Sequence, residues 1–279
     1  MIIENLLPTQ SELGKKSEYD PIYSPEKLFS IPRKGKREEI GVNPNQLPFF
    51  GFDCWNHYEV SWLNNGGKPI VALAEMVYGC DSLNIIESKS MKLYFNSFNN
   101  TKFKNVASIE EIIKKDLEKN VGSAVSIKVT PLGEVKAEKI TPKLEGESID
   151  GLSVSCDIYT VDASFLKTED KTVEETLCSD LLKSNCLVTY QPDWGSVQIS
   201  YKGKKINREG LLKYIVSFRN HNEFHEQCIE RIFIDIMRMC KPTELTVYGR
   251  YTRRGGLDIN PYRSTKKPGS VDNTRLYRQ

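Results

Sequence analysis

The stretch Val197-Gln198-Ile199-Ser200-Tyr201-Lys202-Gly203-Lys204 alternates apolar and polar side chains and then meets a glycine between two lysines. A period of two marks a half-buried strand, and Lys-Gly-Lys reads as the turn that ends it. Residues 208–218 then follow helical spacing. A longer helix is expected after Asn222, a good N-cap, and should stop at Lys241-Pro242. Leu245, Val247, Gly249 and Tyr251 alternate again, Gly255-Gly256 supplies a turn, and 257–262 read as a last strand. The order strand, strand, helix, helix, strand, strand indicates an α+β module with helices on one face of an antiparallel sheet.

The first half carries the same theme more faintly. Tyr58-Glu59-Val60-Ser61-Trp62 alternates, Asn64-Asn65-Gly66-Gly67-Lys68 has turn chemistry, and 69–78 read as the returning strand of a hairpin. Ser108-Ile109-Glu110-Glu111 resembles a capping box opening a helix with Ile109, Ile112, Ile113 and Leu117 on one face, and 124–129 alternate as a strand. Residues 131–150 are charged and broken by glycine and proline, as a connector is. Prolines at 8, 21, 25, 32, 44 and 48 make an irregular arm of the beginning. The expected organisation is an arm at 1–48, a first module at 49–145 and a second at 146–279.

Composition narrows the function classes. With 39 basic against 37 acidic residues in 279, the chain has no bulk charge to hold nucleic acid or a membrane surface, so an anion site has to be a local cluster. No apolar run approaches the ~20 residues of a membrane span, and Met1-Ile2-Ile3-Glu4-Asn5 lacks the basic start of a signal peptide. Seven cysteines, an odd number with no C-x-x-C pair, argue against a secreted disulfide framework and for reduced thiols in the cytoplasm.

Two dense motifs can carry chemistry. In Ser184-Asn185-Cys186-Leu187-Val188-Thr189-Tyr190-Gln191-Pro192-Asp193-Trp194-Gly195 a thiol stands seven residues before a carboxylic acid. An extended segment and a Gln-Pro-Asp-Trp-Gly turn bring the two to one end of a strand, as a cysteine nucleophile with a proton donor requires. The plain alternative is a buried small thiol and a turn aspartate. On the helix after Asn222, His225 falls on the face of Phe224, Cys228, Ile229, Ile232 and Ile236, where a histidine is usually a core residue. Glu226 lies on its edge, suited either to the helix dipole or to the paired N–H groups of a guanine-like ring. His221-x3-His225-x2-Cys228 has metal-ligand spacing, but an Asn222 cap would leave His221 outside the helix, and no metal is expected.

The second motif is Glu87-Ser88-Lys89-Ser90-Met91-Lys92-Leu93-Tyr94, a polar cluster between apolar segments. It reads either as a solvated run or as the lining of a cleft. Lys89 and Lys92, with Arg253-Arg254 before Gly255-Gly256, could bind a polyphosphate, because glycine backbone N–H groups approach phosphate closely. There is no G-x-G-x-x-G after a strand and no Walker A sequence, so a dinucleotide would be held outside a Rossmann fold.

Together these segments resemble the NADPH-dependent 7-cyano-7-deazaguanine reductases, the nitrile reductases of queuosine biosynthesis, in their longer, bimodular subgroup. The resemblance rests on 87–94, 184–195 and 222–230 and runs over nearly the whole chain. It implies tandem tunnelling-fold modules, related to GTP cyclohydrolase I, and a homodimer. It also implies Cys186 as nucleophile and Asp193 as general acid. Glu226 and Glu87 would grip the deazaguanine in a cleft shared by both halves. Phe224 and His225 would shape the pocket, and Ile86 and Ser88 would line it. Ser88, Lys89, Arg254 and Gly255 would contact NADPH. The implied path is a covalent thioimide, a thiohemiaminal, an imine and finally the aminomethyl product. Tyr190 is the one variation near the site, where a smaller or more polar residue is expected. The rival classes are a zinc hydrolase like GTP cyclohydrolase I, which a zinc assay would reveal, and a non-catalytic purine- or pterin-binding module, which would consume no NADPH.

Overall fold

A computed structural model describes residues 21–136, 140–270 and 272–279. It divides into two units that interleave in sequence: residues up to Glu39 with Cys54–Ala137 and Arg253–Asp258, and Ile40–Asp53 with Glu138–Thr252 and Ile259–Gln279. The expected modules were contiguous blocks. Two strands, β2 (Phe50–Leu63) and β11 (Leu257–Ser264), pass from one unit to the other along their length, which makes the units discontinuous.

In the first unit, β1 (Ser30–Pro32) pairs antiparallel with β4 (Asn84–Ile86), and α1 (Lys34–Glu39) follows β1. The described part of the proline-rich beginning thus carries these short elements, and Ile40–Asp53 group with the second unit. Strand β2 turns at Asn64–Lys68 into β3 (Pro69–Gly79), with the Gly67 N–H donating to the Asn64 carbonyl at 2.9 Å. β3 pairs antiparallel with β5 (Val125–Pro131). Helix α2 spans Ser88–Asn96 and α3 spans Val106–Val121. In α3 Ile109, Ile113, Leu117 and Val121 are buried, while Ile112 sits at the margin. The cap is Asn105, whose side chain accepts from the Ser108 N–H; Ser108 is the third residue of the helix rather than its cap, because Asn105 already supplies the acceptor.

In the second unit the sheet order is β7 (Glu147–Ser148), β8 (Thr168–Asn185), β9 (Pro192–Ile206), β10 (Glu244–Tyr251), β11. The contacts from β8 to β11 are antiparallel. The short β6 (Ile140–Thr141) pairs with β12 (Arg275–Leu276). Between β9 and β10 lie α4 (Arg208–Ser217), capped by Asn207, and α5 (His225–Cys240). Cys228, Ile229, Ile232, Phe233 and Ile236 form the buried stripe of α5, each large apolar chain contributing about 1.5–3 kcal/mol. The α+β arrangement with antiparallel sheets and helices agrees with expectation.

Lys202-Gly203-Lys204 does not turn. β9 continues through it to Ile206, and a β-carbon at Gly203 would lie 2.8 Å from Pro242 Cα, so close backbone approach, not a turn, requires the glycine. One charged cluster had no sequence signal. Arg263 is fully buried and donates to Asp53 at 2.8 Å and to Glu230 at 2.9 Å, joining β11, the start of β2 and α5 within the second unit.

Candidate active site

β8 and β9 form a hairpin whose last Cα partners are Ser184 with Asp193 and Asn185 with Pro192. The Cys186 N–H donates to the Gln191 carbonyl at 2.9 Å, and the Tyr190 N–H donates to the Cys186 carbonyl at 3.1 Å. Cys186 thus lies in the hairpin loop and Asp193 is the second residue of β9, not a turn residue; Pro192 to Gly195 are strand. Both side chains are buried, Cys186 at 4% exposure and Asp193 at 7%. Tyr190 holds φ at +56°, a region unfavourable for a β-carbon and easier for glycine or asparagine, and its ring is exposed.

Helix α5 starts at His225, later than an Asn222 cap would allow. Phe224 takes the cap position, its N–H donating to Gln227 Oε1 at 3.3 Å, while Asn222 pairs with Asn185 as a single parallel bridge. The late start decides where the next side chains go. His225 is half-buried, its Nε2 3.6 Å from Asp193 Oδ1 and its ring centroid 4.1 Å from that of Tyr251. It is therefore not a core histidine. Glu226 is buried at 2% exposure in the first turn, where the helix N-terminus favours a carboxylate.

Among the described residues the buried Ser184 Oγ, Thr189 Oγ1, Asn222 Oδ1 and Tyr251 hydroxyl find no nitrogen or oxygen partner. Ser184 and Tyr251 lie beside the Cys228 sulfur, a poor partner. Buried polar groups are rarely left unsatisfied, so these four, gathered around the hairpin end and the approach to α5, fit a site completed by a polar ligand.

The first unit carries the second set. Glu87 caps α2: Oε1 accepts from the Lys89 N–H at 2.7 Å and Oε2 from the Ser90 N–H at 2.8 Å. The residue is fully buried. Burial pushes its carboxyl up against the pull of those amides and of Lys92 and Lys89. The segment read as a polar cluster is thus a helix start, with Met91, Tyr94 and Phe95 as its buried face. Ile86 is buried at the end of β4, and Ser88 and Lys89 are half-buried.

In the same unit the Arg254 N–H donates to the Leu257 carbonyl at 2.9 Å across a turn whose glycines, Gly255 and Gly256, have φ of +62° and +80°. A β-carbon on Gly255 would meet Lys92 Cε at 2.9 Å. Sequence reading missed His57. Its Nδ1 lies 3.1 Å from the Gly256 carbonyl, its ring is edge-on to Phe95, and burial pulls it down to about 4, so it is neutral near pH 7. A lone histidine in an alternating strand gave no signal for this role. A double-glycine turn, a lysine packed against it and neighbouring arginines form a donor set that suits the phosphates of a dinucleotide.

The metal spacing dissolves on folding. His225 turns to Asp193, while His221 Nε2 lies 2.8 Å from Glu223 Oε2. Ligand atoms of His221, Glu223 and Cys228 all fall within 4.8 Å, but Arg231 already donates twice to Glu223, at 2.7 and 3.0 Å. Burial also pushes the Cys228 thiol well above its ordinary value, against the thiolate a metal needs. For Glu223 burial would raise the carboxyl, yet hydrogen bonds from His221 and Arg231 overcome it and hold it near 2. Its stabilising contribution is complete above the ordinary carboxylate range and lost as pH falls through about 2. Acid unfolding of Glu223→Gln should accordingly lose part of the stability gain that the parent shows between pH 2 and 5, followed by circular dichroism.

A family model described as "Nitrile reductase, 7-cyano-7-deazaguanine-reductase N-term" matches residues 19–129, and one described as "QueF-like protein" matches 192–270. The chain is 61% identical over its whole length, and over 98% of the relative, to a protein of Legionella pneumophila (strain Lens) named NADPH-dependent 7-cyano-7-deazaguanine reductase. A protein of the same name from Cupriavidus metallidurans is 54% identical over 98% of this chain and 99% of its own. A crystal structure of the apo archaeosine synthase QueF-Like aligns over 36% of this chain and 99% of its own at 16% identity, with a TM-score of 0.31. With identity of this order sustained from end to end, the chain belongs to the family of NADPH-dependent 7-cyano-7-deazaguanine reductases.

Proposed function

We propose that the chain reduces the nitrile of 7-cyano-7-deazaguanine to the aminomethyl group, using Cys186 as nucleophile and Asp193 as proton donor. The observation that carries this reading is the β8–β9 hairpin, which seats a buried thiol and a buried carboxyl at one sheet end, beside His225 and Glu226. Cys186 Sγ, as the thiolate, attacks the nitrile carbon while Asp193 gives its proton to the nitrogen, so one C–S bond forms, one C–N π bond opens, and a thioimide stands on the enzyme with Asp193 left as carboxylate. NADPH, when bound, supplies hydride, and two equivalents account for the four electrons between nitrile and amine. Lys89, Ser88, Arg254 and Gly255 would hold it. His57 keeps the glycine turn in place through the Gly256 carbonyl. Two copies are proposed to associate as a homodimer.

Selectivity for NADPH is assigned to cations at the 2′-phosphate. Arg254→Gln should raise the NADPH KM by roughly 10–100-fold, the value of a charge-assisted hydrogen bond, and leave NADH use nearly unchanged. Steady-state kinetics with both cofactors checks it, and the gap should narrow as salt is added. Equal losses with both would indicate a folding role.

Base recognition is assigned to Glu226, with Phe224 and His225 shaping the pocket around it; Glu87, with Ile86 and Ser88, is assigned to the base on the family resemblance alone. Glu226→Gln sets an NH₂ against a ring donor, a penalty of about 1–3 kcal/mol in calorimetric substrate affinity. Glu87→Gln should weaken binding similarly and also lower stability, because the same carboxylate caps α2. Normal affinity in Glu87→Gln would remove Glu87 from recognition.

A further inference from the structure

The cluster Glu223–His221–Arg231 lies outside the groups assigned above, yet it bears on the strand end that carries the nucleophile. The Asn185 N–H donates to the His221 carbonyl at 2.8 Å and the Glu223 N–H donates to the Asn185 carbonyl at 3.1 Å, so 221–223 runs beside Asn185 as a one-bridge parallel strand. Asn185 immediately precedes Cys186. Phe224, His225 and Glu226 immediately follow Glu223. One three-residue segment therefore sets the thiol's loop on one side and the start of α5 on the other.

That segment needs an anchor, because residues between a 3₁₀ turn and a helix have no periodic backbone bonds to hold them. Glu223 supplies it. At 1% exposure its carboxylate takes both donors of the Arg231 fork, from the second turn of α5, and the ring of His221, from the opposite end of the same segment. A bidentate Arg–carboxylate pair fixes direction as well as distance. Lys183 adds a second tie, donating from β8 to Asn185 Oδ1 at 2.6 Å and to the Arg219 carbonyl at 2.5 Å. The strand end before Cys186 is thus held through its backbone by 221–223 and through its side chain by Lys183.

We propose that Glu223, with Arg231 and His221, is a positioning residue that sets the Cys186 thiol against the base held by Glu226, without touching the substrate. The proposal rests on the nucleophile assignment above. Misplacement of a reacting atom by about 1 Å can slow a step ~10²-fold, so weakening this anchor should act on bond formation and not on base affinity.

The test measures three quantities in the full-length protein: the rate of thioimide formation on Cys186 at saturating 7-cyano-7-deazaguanine, by rapid-quench mass spectrometry; alkylation of Cys186 by iodoacetamide, which needs no orienting pocket; and calorimetric affinity for the aminomethyl product. In Glu223→Gln the first should fall on the order of 10²-fold, while the other two change less than about threefold. Glu223→Gln can be destabilised by the unpaired Arg231 charge. The double variant Glu223→Gln/Arg231→Gln removes that charge, should recover thermal stability, and should still form the thioimide slowly. Recovery of the fast rate in the double variant, or a parallel fall of all three quantities, would overturn the proposal. If the parent itself forms no Cys186 thioimide, the nucleophile assignment fails first, and the positioning role falls with it.

Discussion

Cys186→Ala protein mixed with 7-cyano-7-deazaguanine should gain no mass and consume no NADPH, a loss limited only by assay background. The two cysteines nearest in sequence cannot substitute. Cys228 is fully buried beside the Tyr251 hydroxyl and its thiol is pushed well up by desolvation, and burial also raises Cys178. Neither offers thiolate near neutral pH. Cys186 sits where the chain leaves the sheet, its N–H on the Gln191 carbonyl, two residues beyond Ser184, the register partner of Asp193. All seven cysteines are free, so no disulfide competes for it. Intact-mass measurement decides the matter: an adduct retained in Cys186→Ala and lost in Cys228→Ala would reverse the assignment.

Asp193→Asn should slow both thioimide formation and turnover by roughly 10²-fold or more, the usual share of a general acid. The amide keeps the shape and the contact with His225 Nε2, now 3.6 Å from Asp193 Oδ1, but has no transferable proton. Product affinity should hold, because Asp193 is assigned to the nitrile nitrogen and not to the base edge. Rapid quench with calorimetry separates the two effects. Near-normal turnover would take Asp193 out of the mechanism and leave His225 as the nearest proton source.

The alternating segments were legible because period-two burial is a local signal: β3, β5, β10 and β11 lie within a few residues of where the pattern puts them. β8 was not legible. Its first half, Thr168-Glu169-Asp170-Lys171-Thr172, is exposed and polar, so its strand state comes from pairing with β9. Helix α2 was hidden by its charged start, although Met91, Tyr94 and Phe95 at helical spacing carried the signal. The Asn222 cap failed for a tertiary reason: the bridge to Asn185 holds residue 222 extended, and the helix waits until His225.

The sequence by itself determined the α+β class, the nucleophile and acid candidates and, through residues 87–94, 184–195 and 222–230, the family. Each of these is written in residue types and spacings along the chain. Only the tertiary structure decided that Cys186 is a loop residue and Asp193 a strand residue paired with Ser184, that His225 turns to Asp193 while His221 turns to Glu223, and that Glu87 caps a helix. It also revealed His57 under the glycine turn and the Glu223–Arg231 anchor beside the nucleophile. The physical reason is the same in each case. Burial and pairing depend on which distant segments share a sheet or a helix end, and the spacing of residues along one chain does not fix those partners.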